Sequence, residues 1–159
     1  MALGSGAKGS DAQVPRSRIL PLALQTAMQI GMPLIAASVA LVRDKDILLI
    51  ARNRPPSEGL WTFPGGRLEP GETPEQCATR ELKEEMGLDV FALRPLRRLT
   101  YGEFELQVFA TQAFEGEITP DPVEIRAWRW VAPRDVGRLR TTQGLGDIIA
   151  SAFRLFDRT

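Results

Sequence analysis

The chain has 159 residues, of which 43% are hydrophobic and 25% charged, and this composition fits one globular domain. Its 20 lysines and arginines balance its 20 aspartates and glutamates, so no net field draws it to nucleic acid. It has no histidine and one cysteine, which excludes imidazole catalysis, internal disulfides and thiolate metal clusters. Any resident metal must be a hard ion bound by oxygen, such as Mg²⁺ or Mn²⁺, and a reducing, cytoplasmic setting is expected.

The N-terminal part of the chain precedes the predicted domain. Residues 1–18 are rich in glycine, serine and small polar residues, which predicts a disordered tail. Residues 19–33 are predicted to form an arm or a short helix. The uncharged run 19–42 raises the alternative of a membrane span, although prolines and polar residues interrupt it. Because residues 34–42 read better as a buried strand, we expect no membrane segment.

The domain is predicted to occupy residues 34–159 and to begin with two strands, at 34–43 and 46–53. A loop with two prolines and a glycine follows. Beyond a central helix come three β-rich runs, FALRPLRRLTYG, FELQVFATQAFEG and EIRAWRWVA, and then a last helix at 143–156 with an apolar face. This order predicts an α/β (α+β) fold, with a mixed sheet and helices on both of its sides.

The central helix has the most specific boundaries in the sequence, and it is predicted to run from Pro74 to Met86. Thr73 is suited to be its N-cap, and Pro74 is favoured at the first helical position. Gln76 completes a capping box with Thr73. Gly87 is suited to end the helix, because glycine readily adopts the left-handed conformation found after a last turn.

This helix places several carboxylates on one face. At about 100° per residue, Glu81, Glu84 and Glu85 fall within an arc of about 100°. Like charges one turn apart destabilise a helix, and a divalent cation would relieve their repulsion. A solvated acidic surface is the alternative, and for ELKEE alone it is the commoner outcome. A separate apolar stripe is suited to face the sheet, formed by Ala78, Leu82 and Met86.

The segment GGRLEPGETPEQCATRELKEEMGL at 65–88 resembles the signature of the Nudix hydrolase family, G-x5-E-x7-R-E-U-x-E-E-x-G-U with U aliphatic. All of its specified positions are matched, by Gly66, Glu72, Arg80, Glu81, Leu82, Glu84, Glu85, Gly87 and Leu88. The resemblance extends to the preceding WTFPGG and covers residues 34–157. It implies a Nudix-type α/β/α sandwich with a catalytic loop–helix–loop. It also implies hydrolysis of nucleoside diphosphates linked to another moiety, with Mg²⁺ or Mn²⁺ as cofactor.

The resemblance implies roles for single residues within the signature. Glu84 and Glu85 resemble the metal ligands of the family. Glu81 resembles the glutamate that either binds metal or serves as the general base. Arg80 and Glu72 resemble the pair that orients this cluster.

Candidates near and outside the signature are less specific. By the same resemblance, the Gly66 region would offer a backbone carbonyl to the metal. Glu124, a few residues before a tryptophan in VEIRAWRWV, resembles the additional glutamate that many members recruit as ligand or base, and plain surface charge is its alternative. Arg52 and Arg67 flank the expected mouth of the site, where guanidinium groups would bind substrate phosphates. Arg54 is a further candidate there, with solvent-facing charge as its alternative.

The sequence motifs that distinguish the subfamilies of this family are weakly matched in this chain. The nearest resemblance is to short, single-domain members, and we expect ADP-ribose or a nucleotide-sugar as substrate. The alternative is a (d)NTP pyrophosphohydrolase of the MutT-like house-cleaning type. A non-catalytic, nucleotide-sensing Nudix module is the alternative from another class, and the intact signature disfavours it. We expect neither nucleic acid nor membrane as a partner, and the family allows a homodimer.

Overall fold

A computed structural model describes residues 34–55, 57–101 and 103–158. The predicted tail at 1–18 and the predicted arm at 19–33 lie outside these residues. The elements of the described part follow one another in this order: β1 (Leu34–Arg43), β2 (Asp46–Arg52), β3 (Trp61–Thr62), β4 (Gly65–Arg67), α1 (Pro74–Met86), β5 (Asp89–Phe91), β6 (Arg94–Tyr101), β7 (Phe104–Thr111), β8 (Ala113–Glu115), β9 (Ile125–Val131), a 3-10 helix (Pro133–Arg138) and α2 (Leu145–Phe156).

Most of the strands belong to one mixed sheet, in which β3, β2, β1, β7 and β6 are neighbours in that order. β1 and β7 run parallel over eight paired positions, and the other pairs are antiparallel. The edge of β1 that faces away from β7 serves two partners, β4 at residues 36–38 and β2 at residues 42–43. This arrangement brings the short strand β4, which carries the glycines of the signature, to the centre of the sheet.

The two helices cover opposite faces of the sheet, as the sequence predicts. Val39 and Leu41 of β1 pack in the core under α1. Ala40 and Val42, which alternate with them along the strand, pack in the second core under α2. The apolar stripe of α1 is fully buried in the first core, as expected for Ala78, Leu82 and Met86. The opposite side of α1 is left to its charged residues.

Helix α1 has the predicted bounds, and its start is fixed by the predicted capping box. The Gln76 backbone N–H donates to Thr73 Oγ1 at 3.2 Å, and the Thr73 N–H donates to Gln76 Oε1 at 3.0 Å. Gly87 ends the helix with φ 72°, in the left-handed region that favours glycine. Because the start of the helix is fixed, the direction in which Glu81, Glu84 and Glu85 project from the helix axis is fixed as well.

Two predicted boundaries shift for identifiable reasons. Helix α2 begins at Leu145 rather than at 143, because Gly144 adopts φ 77°, which is not a helical conformation, and is the N-cap residue. Strand β2 ends at Arg52 rather than at 53, because its pairing with β9 is irregular between Ala51 and Arg52. Within the described residues, no helix is both long and apolar enough to cross a membrane.

Candidate active site

The acidic face of α1 borders a cavity of about 760 Å³. Strand β2, the loop after it, strand β4 and the segment before β9 form the other walls. The cavity brings together most of the residues that the sequence predicts for the site, namely Arg52, Gly66, Arg67, Arg80, Glu81, Glu84, Glu85 and Glu124. The remaining predicted residue, Glu72, contacts this group through Arg80.

Arg80 connects the carboxylates of the signature. Its Nε and Nη2 donate to the two oxygens of Glu72 at 2.7 and 2.9 Å, a bidentate pair. Its Nη1 donates to Glu81 Oε1 at 2.9 Å and to Glu84 Oε2 at 3.1 Å. The Arg80 guanidinium lowers the pKa of the Glu72 carboxyl, so that this pair stays ionised. Glu72 therefore anchors Arg80, and Arg80 Nη1 is shared by Glu81 and Glu84.

Glu85 is a buried carboxyl, only 4% exposed. Its Oε1 lies 3.3 Å from Arg52 Nη1, and its Oε2 accepts the Gly65 backbone N–H at 3.2 Å. Arg52 also donates to the Gly65 carbonyl. Burial raises the pKa of Glu85 to about 8, with nearby Glu81 adding to the rise and Arg52 opposing it. The two ends of this contact belong to β2 and α1, so Arg52 ties the helix to the sheet.

Gly66 leaves room for the Glu81 carboxylate. A Cβ atom at position 66 would lie 2.5 Å from both Cδ and Oε1 of Glu81, which is closer than real Cβ atoms approach other atoms. Beneath them, the buried Cys77 thiol donates to the Gly66 carbonyl at 3.4 Å. Burial, together with Glu72 and Glu81, raises the pKa of this thiol to about 12. Cys77 is therefore a neutral packing residue and not a nucleophile.

Glu124 lies on the wall of the cavity formed by the segment before β9. Its Oε1 is 3.1 Å from Arg54 Nη1, and its side chain is 35% exposed. Neither Glu103 nor Glu105 lines the cavity. Glu105 instead forms an ion pair with Arg98 on the neighbouring strand.

Two residues that contact Glu85 were not singled out from the sequence. Gly65 donates its N–H to Glu85, and its place directly before Gly66, the first residue of the signature, was the available signal for it. Asp121 lines the cavity, and its backbone N–H donates to the Glu85 carbonyl at 2.9 Å. No local pattern marks Asp121, because this contact joins positions far apart in the chain.

The residues present fit a divalent cation in their chemistry, although they are paired with one another here. In the described part of the chain, no three acidic residues are grouped so that they could hold a metal ion. Glu81 and Glu84 share one nitrogen of Arg80, and Glu85 is bound by Arg52 and Gly65. Their oxygens are the hard donors that Mg²⁺ and Mn²⁺ prefer. Because Glu72 holds Arg80 through two other nitrogens, the shared Nη1 contacts can open without releasing Arg80.

The geometry of this site and fold agrees with the comparisons with known proteins. The model of the NUDIX domain family matches residues 32–152, and the chain therefore belongs to the NUDIX family. The predicted family and the predicted fold class are both confirmed.

Similar proteins carry several different names. The crystal structure of a MutT NUDIX hydrolase from Burkholderia pseudomallei has a TM-score of 0.70 and 30% identity, covering 76% of this chain and 98% of that one. A putative 8-oxo-dGTP diphosphatase of Bacillus subtilis is 33% identical over 103 residues, 64% of this chain and 65% of that protein. An ADP-ribose pyrophosphatase of Methanocaldococcus jannaschii is 45% identical over 56 residues, 35% of this chain and 33% of that protein.

The chain spans only part of the curated relatives that it matches. The matched region covers from 34% to 65% of the length of the first four of them. The substrates in the names of those proteins are therefore properties of the relatives and are not assigned to this chain by the match.

Proposed function

We propose that this chain hydrolyses the pyrophosphate bond in nucleoside diphosphates linked to another moiety, with Mg²⁺ or Mn²⁺ as cofactor. One observation carries the proposal: Glu81, Glu84 and Glu85 line the same cavity as Arg52, Arg54 and Arg67. Carboxylates provide ligands for a hard cation, and guanidinium groups pair with phosphate oxygens. A cavity with both kinds of group is suited to a pyrophosphate that carries a divalent ion.

The residues of the cavity divide the work of such a reaction. A bound divalent cation would neutralise charge on the phosphate oxygens and make a water more acidic. Arg80, anchored by Glu72, keeps the helix carboxylates aligned. Arg67 and Arg52 provide positive charge for substrate phosphates, although Arg52 also holds Glu85. Either Glu81 or Glu124, which both line the cavity, would accept the proton of the attacking water. The groups that would hold the cation are Glu81, Glu84, Glu85 and the Gly66 carbonyl.

Within this reaction, we propose ADP-ribose or a nucleotide-sugar as the first substrate class to test. The 45% identity to a named ADP-ribose pyrophosphatase across part of the chain supports this choice. The second candidate class is the (d)NTPs, which the likeness to a MutT NUDIX hydrolase supports over nearly the whole of that structure. Both classes present a pyrophosphate to the same cavity and differ in what is attached to it.

The setting and assembly of the protein are part of the proposal. The single cysteine is buried, which is consistent with a reducing, cytoplasmic compartment. A homodimer is proposed from the family resemblance alone. We propose neither membrane nor nucleic acid as a partner, in keeping with the balanced charge of the chain.

The proposal is tested by coupled phosphate release from a panel of ADP-ribose, nucleotide-sugars, dinucleoside polyphosphates and (d)NTPs. The full chain is assayed with Mg²⁺, with Mn²⁺ and with a chelator, beside the variants Glu84→Gln and Glu85→Gln. Glu75→Gln is the matched control, because Glu75 is an exposed glutamate in the first turn of the same helix and does not line the cavity.

We expect metal-dependent turnover of one substrate class, a large loss in Glu84→Gln and Glu85→Gln, and wild-type turnover in Glu75→Gln. Turnover that persists in both cavity variants would contradict the assigned site. A protein that binds a nucleotide in titration calorimetry but turns over nothing would contradict the enzyme and support the sensing module.

A further inference from the structure

Two neighbouring segments of the cavity wall, the loop after β2 and the segment leading into β9, are joined by a pair of ion pairs. Arg54, in the loop after β2, lies 3.1 Å from Glu124. Arg126, at the start of β9, lies 3.3 Å from Glu58 in the same loop. The two ion pairs thus connect the same two segments in opposite directions, but only Arg54 and Glu124 line the cavity.

The backbone around Glu124 is already fixed without these ion pairs. The Asn53 backbone N–H donates to the Glu124 carbonyl at 2.9 Å, and Asn53 Nδ2 donates to the Pro122 carbonyl at 3.0 Å. Asp121, three residues earlier, is bonded through its N–H to the Glu85 carbonyl of α1. The Cα position of Glu124 is therefore set by backbone contacts. In the described part of the chain, its carboxylate pairs with the Arg54 guanidinium.

From this arrangement we propose that Arg54 is a positioning residue, which holds the Glu124 carboxylate in the orientation that the reaction requires. The inference rests on the proposed function and adds a residue to its machinery. A glutamate on a partly exposed wall samples several rotamers in water, and a guanidinium at one of its oxygens selects among them. A displacement of about 1 Å at a reacting group is enough to cost about 100-fold in rate.

A role in stability alone does not account for the pair. The Arg54 and Glu124 side chains are 56% and 35% exposed, and those of Arg126 and Glu58 are 53% and 49% exposed. Ion pairs with this exposure contribute little to the free energy of unfolding. If the pairs served only to join the two segments, removing either arginine would have the same small effect on stability and on turnover. The variant of Arg126 is therefore the matched control for the variant of Arg54.

The experiment compares Arg54→Gln, Arg126→Gln, Glu124→Gln and the double variant Arg54→Gln/Glu124→Gln, using whichever substrate the wild-type chain turns over. We expect kcat to fall about 10- to 100-fold in Arg54→Gln, with KM changed less than about threefold. We expect Arg126→Gln to stay within about twofold of wild type, because its partner does not line the cavity. The double variant should be no slower than Glu124→Gln, since a positioning residue has no effect once its target is gone. Arg54→Lys should recover part of kcat.

Three results would overturn the inference while leaving the proposed function intact. The first is a raised KM with unchanged kcat in Arg54→Gln, which would make Arg54 a substrate-binding residue. The second is a double variant whose loss equals the product of the two single losses. The third is an equal loss in Arg126→Gln. A wild-type chain that turns over no substrate would instead overturn the proposed function and this inference together.

Discussion

The adjacent glycines of β4, Gly65 and Gly66, are predicted to fail in different ways when each is replaced by alanine. A Cβ at position 65 would lie 2.3 Å from the Ala37 carbonyl oxygen and 2.6 Å from Ser38 Cα. Those atoms are backbone of the central strand β1, which cannot move aside without breaking its pairing with β4. A Cβ at position 66 would instead meet the far end of the Glu81 side chain at 2.5 Å.

The two contacts lead to different expected losses of stability and of activity. Inserting a methyl group into a packed region costs about 1–3 kcal/mol, and contact with fixed backbone places Gly65→Ala at about 3 kcal/mol. For a domain of this size, that corresponds to a fall of roughly 10 °C in Tm. In Gly66→Ala the Glu81 carboxylate can swing away, so Tm should change by less than about 2 °C. The same swing removes Glu81 from the cluster, and we expect a fall in kcat of about 100-fold.

The assay combines thermal unfolding, followed by circular dichroism, with turnover of the substrate found for the wild-type chain. Gly146→Ala is the matched control, because nothing lies within 4 Å of a Cβ there and the residue is in helix α2. We expect Gly146→Ala to be as active as wild type and up to about 1 kcal/mol more stable. The reasoning is refuted if Gly66→Ala loses as much Tm as Gly65→Ala, or if Gly66→Ala keeps wild-type kcat.

Three further predictions follow from single buried groups. Ser38 has a buried hydroxyl without a hydrogen-bond partner in the described structure, so Ser38→Ala should raise stability by about 1 kcal/mol in denaturant titrations, and a loss would reveal a missing partner. The pKa of Cys77 near 12 predicts alkylation by iodoacetamide at pH 8 at least about 100-fold slower in the native than in the unfolded protein, by mass spectrometry. The pKa of Glu85, raised to about 8, means that the metal-free native state keeps a proton that the unfolded state loses. Its contribution to stability therefore declines as pH rises from about 5 to 8, so Tm measured in chelator should fall over that range. Added Mg²⁺ should raise Tm most at the highest pH, because the cation competes with the proton for Glu85. A Tm response to Mg²⁺ that is the same at pH 6 and pH 8 would contradict this linkage.

The parts of the structure that the sequence predicts well are those determined locally. Helix α1 begins and ends where the capping box and Gly87 indicate, since these signals act within one turn of the helix. The rotation of Glu81, Glu84 and Glu85 about the axis then follows from helical geometry alone. The second helix was less well bounded because it lacks a side-chain cap, and Gly144 serves in its place.

The contacts that complete the site could not be predicted in this way. Arg52 contacts Glu85 across 33 positions of sequence, and this contact depends on the register of β2 in the sheet. From the sequence, Arg52 was a candidate for phosphate binding, and its contact with a buried carboxyl adds a structural role. Arg54 and Glu124 meet only because Asn53 leaves β2 and bonds to the segment before β9. Local patterns carry no information about such pairings.

The pairing of charges around Arg80 has a consequence for how the site could accept a cation. Arg80 makes two contacts with Glu72 through Nε and Nη2, and these do not involve the cavity carboxylates. Its Nη1 lies between Glu81 and Glu84, where it offsets their repulsion without a metal. Glu81 and Glu84 would exchange their contacts with Nη1 for a bound divalent cation, while the bidentate pair with Glu72 keeps the guanidinium beside the cluster. The contact between Arg80 and Glu72 is therefore compatible with both the metal-free and the metal-bound site, and Arg80 holds Glu81 and Glu84 side by side before any ion binds.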